Sequence, residues 1–170
     1  VIGAVAAVAA VTNANGKEPI PPVASVDLPR FMGDWYVIGN IPTFIEKDVY
    51  DAVESYALDK DGKIRTTFRY RKGSFDAPIK TMNPVGTVVE GTNNAVWGMQ
   101  FVWPIKAEYV IVYLSEDYSQ TIIGRTDRDY VWIMARTPQI PDADYDALVQ
   151  RVRDLGYDTT HLRKVPQSPR

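Results

Sequence analysis

The chain has 170 residues, a formal charge of −2, one histidine and no cysteine. One domain is expected at this length, the charge balance gives no electrostatic case for nucleic acid, and the lack of cysteine removes disulfides, thiolate nucleophiles, iron–sulfur clusters and cysteine–zinc sites. His161 stands alone, so multi-histidine metal sites are excluded and a catalytic triad has little to build on; no cofactor and no metal are expected.

Residues 1–11 are almost entirely Ala, Val, Ile and Gly. The run is too short to span a bilayer and reads as the apolar region of a secretory signal, cut after Ala14 behind a small-x-small pattern. The competing reading is an Ala-rich terminus without a targeting role. Residues 15–27 carry several prolines and read as an extended linker rather than a helix or a central strand.

From Gly33 the apolar period is two, the signature of a half-buried strand. In residues 34–41, an inward Trp35 carries Val37, Gly39 and Ile41 with it and turns Tyr36 and Ile38 outward. Residues 42–48 form a loop with Phe44 and Ile45 near its middle. Strands at 52–58 and 63–72 flank Asp59-Lys60-Asp61-Gly62, whose Asp-Gly pair is a strong hairpin signal. In the second of these, Ile64, Thr66, Phe68 and Tyr70 share one face and Arg65, Thr67, Arg69 and Arg71 the other, so the inside is plain. A strand over 79–90 is interrupted at Asn83-Pro84, which calls for a bulge or an edge irregularity. Gly91-Thr92-Asn93-Asn94 is a turn. Residues 95–103 set Trp97, Met99, Phe101 and Trp103 on one face; residues 108–114 set Tyr109, Ile111 and Tyr113 on one face. Strands at 119–124 and 130–136 complete a set of eight.

Pro138 ends the last strand. Ile140-Pro141-Asp142 begins a helix, with Pro at an early position and an acid near the positive end. Tyr145, Leu148, Val149, Val152 and Leu155 recur at helical spacing until Gly156. This stripe needs a counterpart, and the outward Tyr36, Ile38, Val131 and Ile133 provide one. The tail from residue 158 is expected to be loosely held apart from Leu162 and Val165, and residues 166–170 to be flexible.

Eight strands and a helix also suit a β-sandwich; the order of the motifs separates the two. Gly33-Asp34-Trp35-Tyr36, Phe101-Val102-Trp103-Pro104, Tyr109-Val110-Ile111-Val112 and the run from Asp127 to Pro138 resemble the lipocalin family, in particular its bacterial, outer-membrane and apolipoprotein D-like subgroup, over residues 28–165. Asp117-Tyr118 resembles part of a further family motif, with Glu116 where the family carries threonine. The resemblance implies an all-β fold: an eight-stranded antiparallel up-and-down barrel with one C-terminal α-helix packed outside. Trp35 then lies under Arg136 at the closed end, with Gly33, Asp117 and Tyr118 as structural partners and residues 28–32 crossing the floor. A guanidinium stacked on an indole is worth about 0.5–2 kcal/mol.

An eight-stranded barrel is wide enough for one small ligand. With Trp35 and Arg136 inward, alternation gives the candidate ligand-binding residues: Val37, Glu54, Tyr56, Phe68, Tyr70, Trp97, Met99, Phe101, Tyr109, Ile111, Tyr113 and Trp132. Tyr130, Met134 and Leu58 share these faces, the last two close to the floor. The resemblance implies non-catalytic binding, transport or storage of a fatty acid or lysophospholipid, with the polar head near the mouth by Glu54 and the Phe44-Ile45 loop. It implies export to the periplasm or outer membrane and leaves peripheral membrane contact open; the lipid-bearing cysteine of bacterial relatives is missing from these residues.

Glu54 is the sharpest single residue: in an apolar cup it can meet a polar group of a ligand or act as a base with its pKa raised by burial. The alternative places it in water at the rim or beside a cation. An enzyme on this fold, an isomerase or de-epoxidase working on an isoprenoid or carotenoid, needs a second acid or base converging on the cup, and alternation supplies no clear second inward carboxylate. Arg65, Arg69 and Arg71 fit a solvated barrel face balanced by nearby acids, and Asp127, Arg128 and Asp129 fit a turn between strands.

Overall fold

The computed structural model describes residues 16–102 and 105–169. The expected signal segment 1–14 and the motif residues Trp103 and Pro104 lie outside them. Ten strands form one antiparallel sheet: β1 (Gly33–Ile41), β2 (Val49–Leu58), β3 (Ile64–Lys72), β4 (Ile79–Met82), β5 (Val85–Val88), β6 (Val96–Val102), β7 (Ile105–Leu114), β8 (Gln120–Gly124), β9 (Val131–Ala135) and β10 (Arg163–Lys164). Neighbours in sequence pair with one another, and β9 returns to pair with β1, so the sheet closes into a barrel. β4 and β5 both pair with β3 and are one barrel strand broken at Asn83-Pro84, where the chain signalled an irregularity. Counted this way the barrel has eight strands, and β10 is a short addition on β1.

Helix α1 (Leu28–Phe31) starts on an Asp27 cap and crosses the closed end. Its Phe31 packs on Trp35 with ring centroids 5.0 Å apart and edge-on to Trp97 at 5.5 Å. Residues 16–27 before it have no regular structure but are not a free linker. Ile20 and Val26 are buried, and the Val23 and Val26 amides donate to the Ile111 and Asn93 carbonyls. At the same end the Asp59–Gly62 turn closes β2 on β3, with the Asp59 carboxylate accepting from the Asp61 and Lys63 amides. The outer arginines of β3 meet acids, Arg65 with Asp59, Arg69 with Asp34 and Arg71 with Asp51, as a solvated face should.

Helix α2 (Asp142–Asp154) lies against the outside of the barrel. Its Tyr145, Leu148 and Val152 cover Ile38, Ile41, Ile122, Val131 and Ile133, which is the counterpart the apolar stripe required. The contact is close at Gly39, where an added Cβ would stand 2.8 Å from the Tyr145 hydroxyl and 2.9 Å from its ring. Gly39→Ala should therefore destabilise by roughly 1–3 kcal/mol, the usual cost of overpacking. Equilibrium urea unfolding reads this directly, and a midpoint equal to the wild type's would show that the helix stands off the barrel.

Three places correct the simple alternation. A register shift between Val37 and Gly39 turns Gly39 and Ile41 outward to the helix, and Asn40, paired with Trp132, takes the inner face. A second shift, between Ile111 and Tyr113, turns Tyr113 outward, where the Arg151 guanidinium lies 4.1 Å from its ring, and Leu114 packs against the inner core instead. Leu58 is 43 % exposed at the end of β2 and is no part of the floor.

The C-terminal tail is also better held than its composition suggests. β1 and β2 pair only from Gly33–Tyr36 to Val53–Tyr56, then separate. The tail fills the gap: β10 pairs with Gly39 and Asn40, Val165 is buried with the inner core, and the Gln167 amide donates to the Val37 and Ala52 carbonyls at 2.9 Å each. Ser168 binds the Asp51 carboxylate at the bulge of β2.

Candidate functional site

The closed end is built on Trp35 and Arg136. Trp35 is fully buried, and its indole N–H donates to the Phe31 carbonyl at 2.8 Å. The Arg136 guanidinium carbon lies 3.9 Å from the indole ring centre. Its N–H groups donate to the carbonyls of Asp34 (2.9 Å), Arg30 (2.9 Å), Phe31 (3.1 Å) and Tyr118 (3.3 Å), tying β1, α1 and the turn before β8 to the end of β9. Gly33 has φ +96°, and a Cβ there would sit 3.3 Å from Arg136 Nη1, so both backbone conformation and space call for glycine. Asp117 accepts from Ser115 and Ser119, and the Tyr118 hydroxyl accepts from the Asp27 amide while Arg30 lies 4.2 Å from its ring. All five expected motif residues thus meet at one end of the barrel.

Above this floor is a cavity of about 340 Å³, toward the lower end of the roughly 300–1,000 Å³ common for small-ligand pockets. Glu54, Tyr56, Phe68, Met99, Phe101, Tyr109 and Trp132 line it as expected, joined by Met134 on β9 and Tyr130 just before it. Val37, Tyr70, Trp97 and Ile111 are buried in the inner core but do not line the space. Trp97 stacks on Tyr109 at 4.6 Å and belongs to the packed floor; Tyr70 stacks on Phe68 at 4.9 Å. Tyr113 is outside the barrel wall. Alternation did not single out Met82, Pro84, Ala107, Ile123 and Arg125 as lining residues.

The largest correction concerns height. Glu54 pairs with Trp35 on one side and Phe68 on the other, so it stands at the bottom of the cup, not at its mouth. There the Tyr56 and Tyr109 hydroxyls share a hydrogen bond of 2.7 Å, and the Glu54 carboxyl lines the cavity with them, two residues along β2 from Tyr56. The carboxyl faces the cavity, deep below its mouth. Removal from water, helped by the negative charge of Glu46, pushes its pKa up to about 8. Burial thus favours the neutral form of this carboxyl. Burial pushes the two tyrosine hydroxyls well up as well.

The mouth is framed by the loop from β1 to β2 and by the turn from β8 to β9. Two further carboxylates line the cup: Glu108, which accepts from the Thr126 amide and hydroxyl at 2.8 Å each, and Glu46, which alternation could not reach because it sits in a loop. Both Glu46 oxygens are engaged: Oε1 accepts from the Trp132 indole N–H at 2.7 Å, and Oε2 from the Thr43 amide at 3.2 Å and hydroxyl at 2.9 Å. It latches the loop to β9 and is not poised as an acid or base. Opposite, Arg125 is held by Asp129 at 3.0 Å, and Arg128 donates to the Leu155 and Thr126 carbonyls, as the turn role of this charged run requires.

A closed eight-stranded barrel, plugged by an arginine on a tryptophan and hollow above it, has a known counterpart. A family model described as a lipocalin-like domain matches residues 26–167. The chain belongs to the lipocalin family. It is 29% identical to temperature-induced lipocalin-1 of Arabidopsis thaliana over 89% of this chain and 85% of that protein. It is 25% identical to the outer membrane lipoprotein Blc of Vibrio cholerae, with 88% of each covered, and 28% identical to bovine apolipoprotein D over 74% of this chain and 69% of that one. Among solved structures, insecticyanin from the tobacco hornworm superposes with a TM-score of 0.70 at 15% identity, covering 89% of this chain and 86% of that one, a likeness of fold. Lipocalins bind small hydrophobic ligands, and most members are binding or transport proteins.

Proposed function

We propose that this lipocalin carries a single-chain amphiphile, a fatty acid or lysophospholipid, for transport or storage and without catalysing its conversion. The observation that supports this most is the cavity itself: a single-chain-sized space whose wall is Phe68, Met82, Met99, Ile123 and Trp132, with polar groups confined to the floor and the mouth. The acyl chain lies along that wall. The head stays at the mouth, between the Thr43–Glu46 loop and Arg125.

Each buried CH₂ contributes at most about 0.8 kcal/mol, part of which is lost to ordering the chain. Affinity for delipidated protein should rise along a series of saturated fatty acids and then level off when the chain end reaches the floor. Tryptophan fluorescence, with Trp132 on the wall, follows the titration. Ala107→Trp, which fills the cup, should weaken binding of every member while leaving the circular dichroism intact. A flat titration for fatty acids and lysophospholipids alike would end this reading.

We also propose export to the periplasm or outer membrane, supported by the apolar character of residues 1–11 and by the outer membrane lipoproteins among the relatives. Peripheral contact with a membrane fits the open end, where Phe44 is 80 % exposed and Ile79 and Phe101 are also exposed.

A further inference from the structure

We propose that the cup selects chains bearing a hydroxyl or carbonyl oxygen at the end that reaches the floor, so that its preferred ligand is an oxygenated chain rather than a plain hydrocarbon tail. This rests on the carrier reading above and narrows the ligand class. A cluster of polar side chains at the bottom of the cup supports it.

Glu54, Tyr56 and Tyr109 form one connected polar cluster on an otherwise apolar floor. The hydrogen bond between the two phenols uses one of their two O–H groups. The other O–H and the oxygen lone pairs of the Glu54 carboxyl belong to side chains that line the cavity. The neighbours of Glu54 across the sheet, Trp35 and Phe68, offer nothing to it. Glu46 and Arg125, the charged side chains whose engagements are described above, belong to the mouth and are tied to Thr43, Trp132 and Asp129. The polar groups of the cluster therefore face the cavity.

A methyl terminus arriving there would cover these polar groups without pairing them, and buried polar groups left unpaired are costly. A hydroxyl or carbonyl arriving there is itself paired, and the dehydration it suffers in an apolar cup is offset. A purely hydrophobic carrier would gain by having leucine at position 54, and the carboxyl makes sense as a reader of ligand oxygen.

The test uses a matched pair on the delipidated full chain at pH 6.5: dodecanoic acid and 12-hydroxydodecanoic acid, titrated by tryptophan fluorescence against wild type, Glu54→Leu, Glu54→Gln and Tyr109→Phe. Wild type should bind the hydroxylated member at least as tightly as the plain one. Glu54→Leu should move the ratio about tenfold toward the plain chain, Glu54→Gln should largely keep the wild-type ratio, and Tyr109→Phe should shift it the same way as leucine but less. If both acids bind and the ratio is the same in wild type, Glu54→Leu and Tyr109→Phe, floor selection is wrong and the carrier reading stands. If neither acid binds wild type, the carrier reading falls and this inference with it.

Discussion

Trp35→Ala should lower stability by about 3–5 kcal/mol, the range for truncating a buried aromatic. The indole is fully buried, touches Phe31, carries the Arg136 guanidinium on its face and donates to a carbonyl of α1. Its loss opens a cavity and unlinks α1 from β1 in one step. Arg136→Ala should cost less, about 1–3 kcal/mol, because four carbonyls lose a donor but most of them can reach water. Arg136→Lys should not restore the loss, since an ammonium cannot both lie flat on the indole and reach several carbonyls. Urea unfolding of the three variants separates these terms. An unchanged midpoint for Trp35→Ala would mean that the barrel is not closed at this end.

Glu54→Gln should stabilise the protein, and the gain should depend on pH. An ordinary glutamate ionises near 4.5, whereas in the folded state burial pushes this one up to about 8. Between those values the native state holds a proton that the unfolded state has released. Stability therefore falls as pH rises through this window, by up to about 1.4 kcal/mol per pH unit. Below about 4.5 both states are protonated and the penalty is absent; above about 8 both are ionised and it is complete. Allowing for water that the cavity admits, the full penalty is roughly 2–4 kcal/mol. Glutamine, equal in size and never charged, escapes it. The difference in unfolding free energy between variant and wild type should be near zero at about pH 4 and reach its maximum, in favour of the glutamine variant, above about pH 8. A difference that does not change with pH would place the carboxyl in bulk water and remove the floor cluster.

The same residue separates what alternation could read from what it could not. Period two correctly faced Glu54 inward, because side chains alternate across a strand whatever its partners are. It could not set the height of Glu54 in the cup, because height is fixed by register with β1 and β3, and register is a property of pairs of strands. Nor could any local pattern foresee Glu46 as a latch on Trp132, since a loop has no period and the two residues meet only through the closed barrel.

The amino-acid sequence by itself determined the number and order of the strands, the Asp59–Gly62 hairpin, the break at Asn83-Pro84 and the span of α2. Each of these rests on short-range chemistry: alternation, turn residues, proline's missing donor and helical spacing. The meeting of Trp35 with Arg136, a contact across a hundred residues, was legible only through the resemblance of their motifs to the lipocalin family. Only the tertiary structure decided which face Gly39, Ile41 and Tyr113 take, and that the tail is the missing piece of wall between β1 and β2. A bulge inserts one residue and so exchanges inside for outside in everything beyond it. The chain signals of alternation are nearly blind to that insertion, because the strands on either side of a bulge alternate as well as any other.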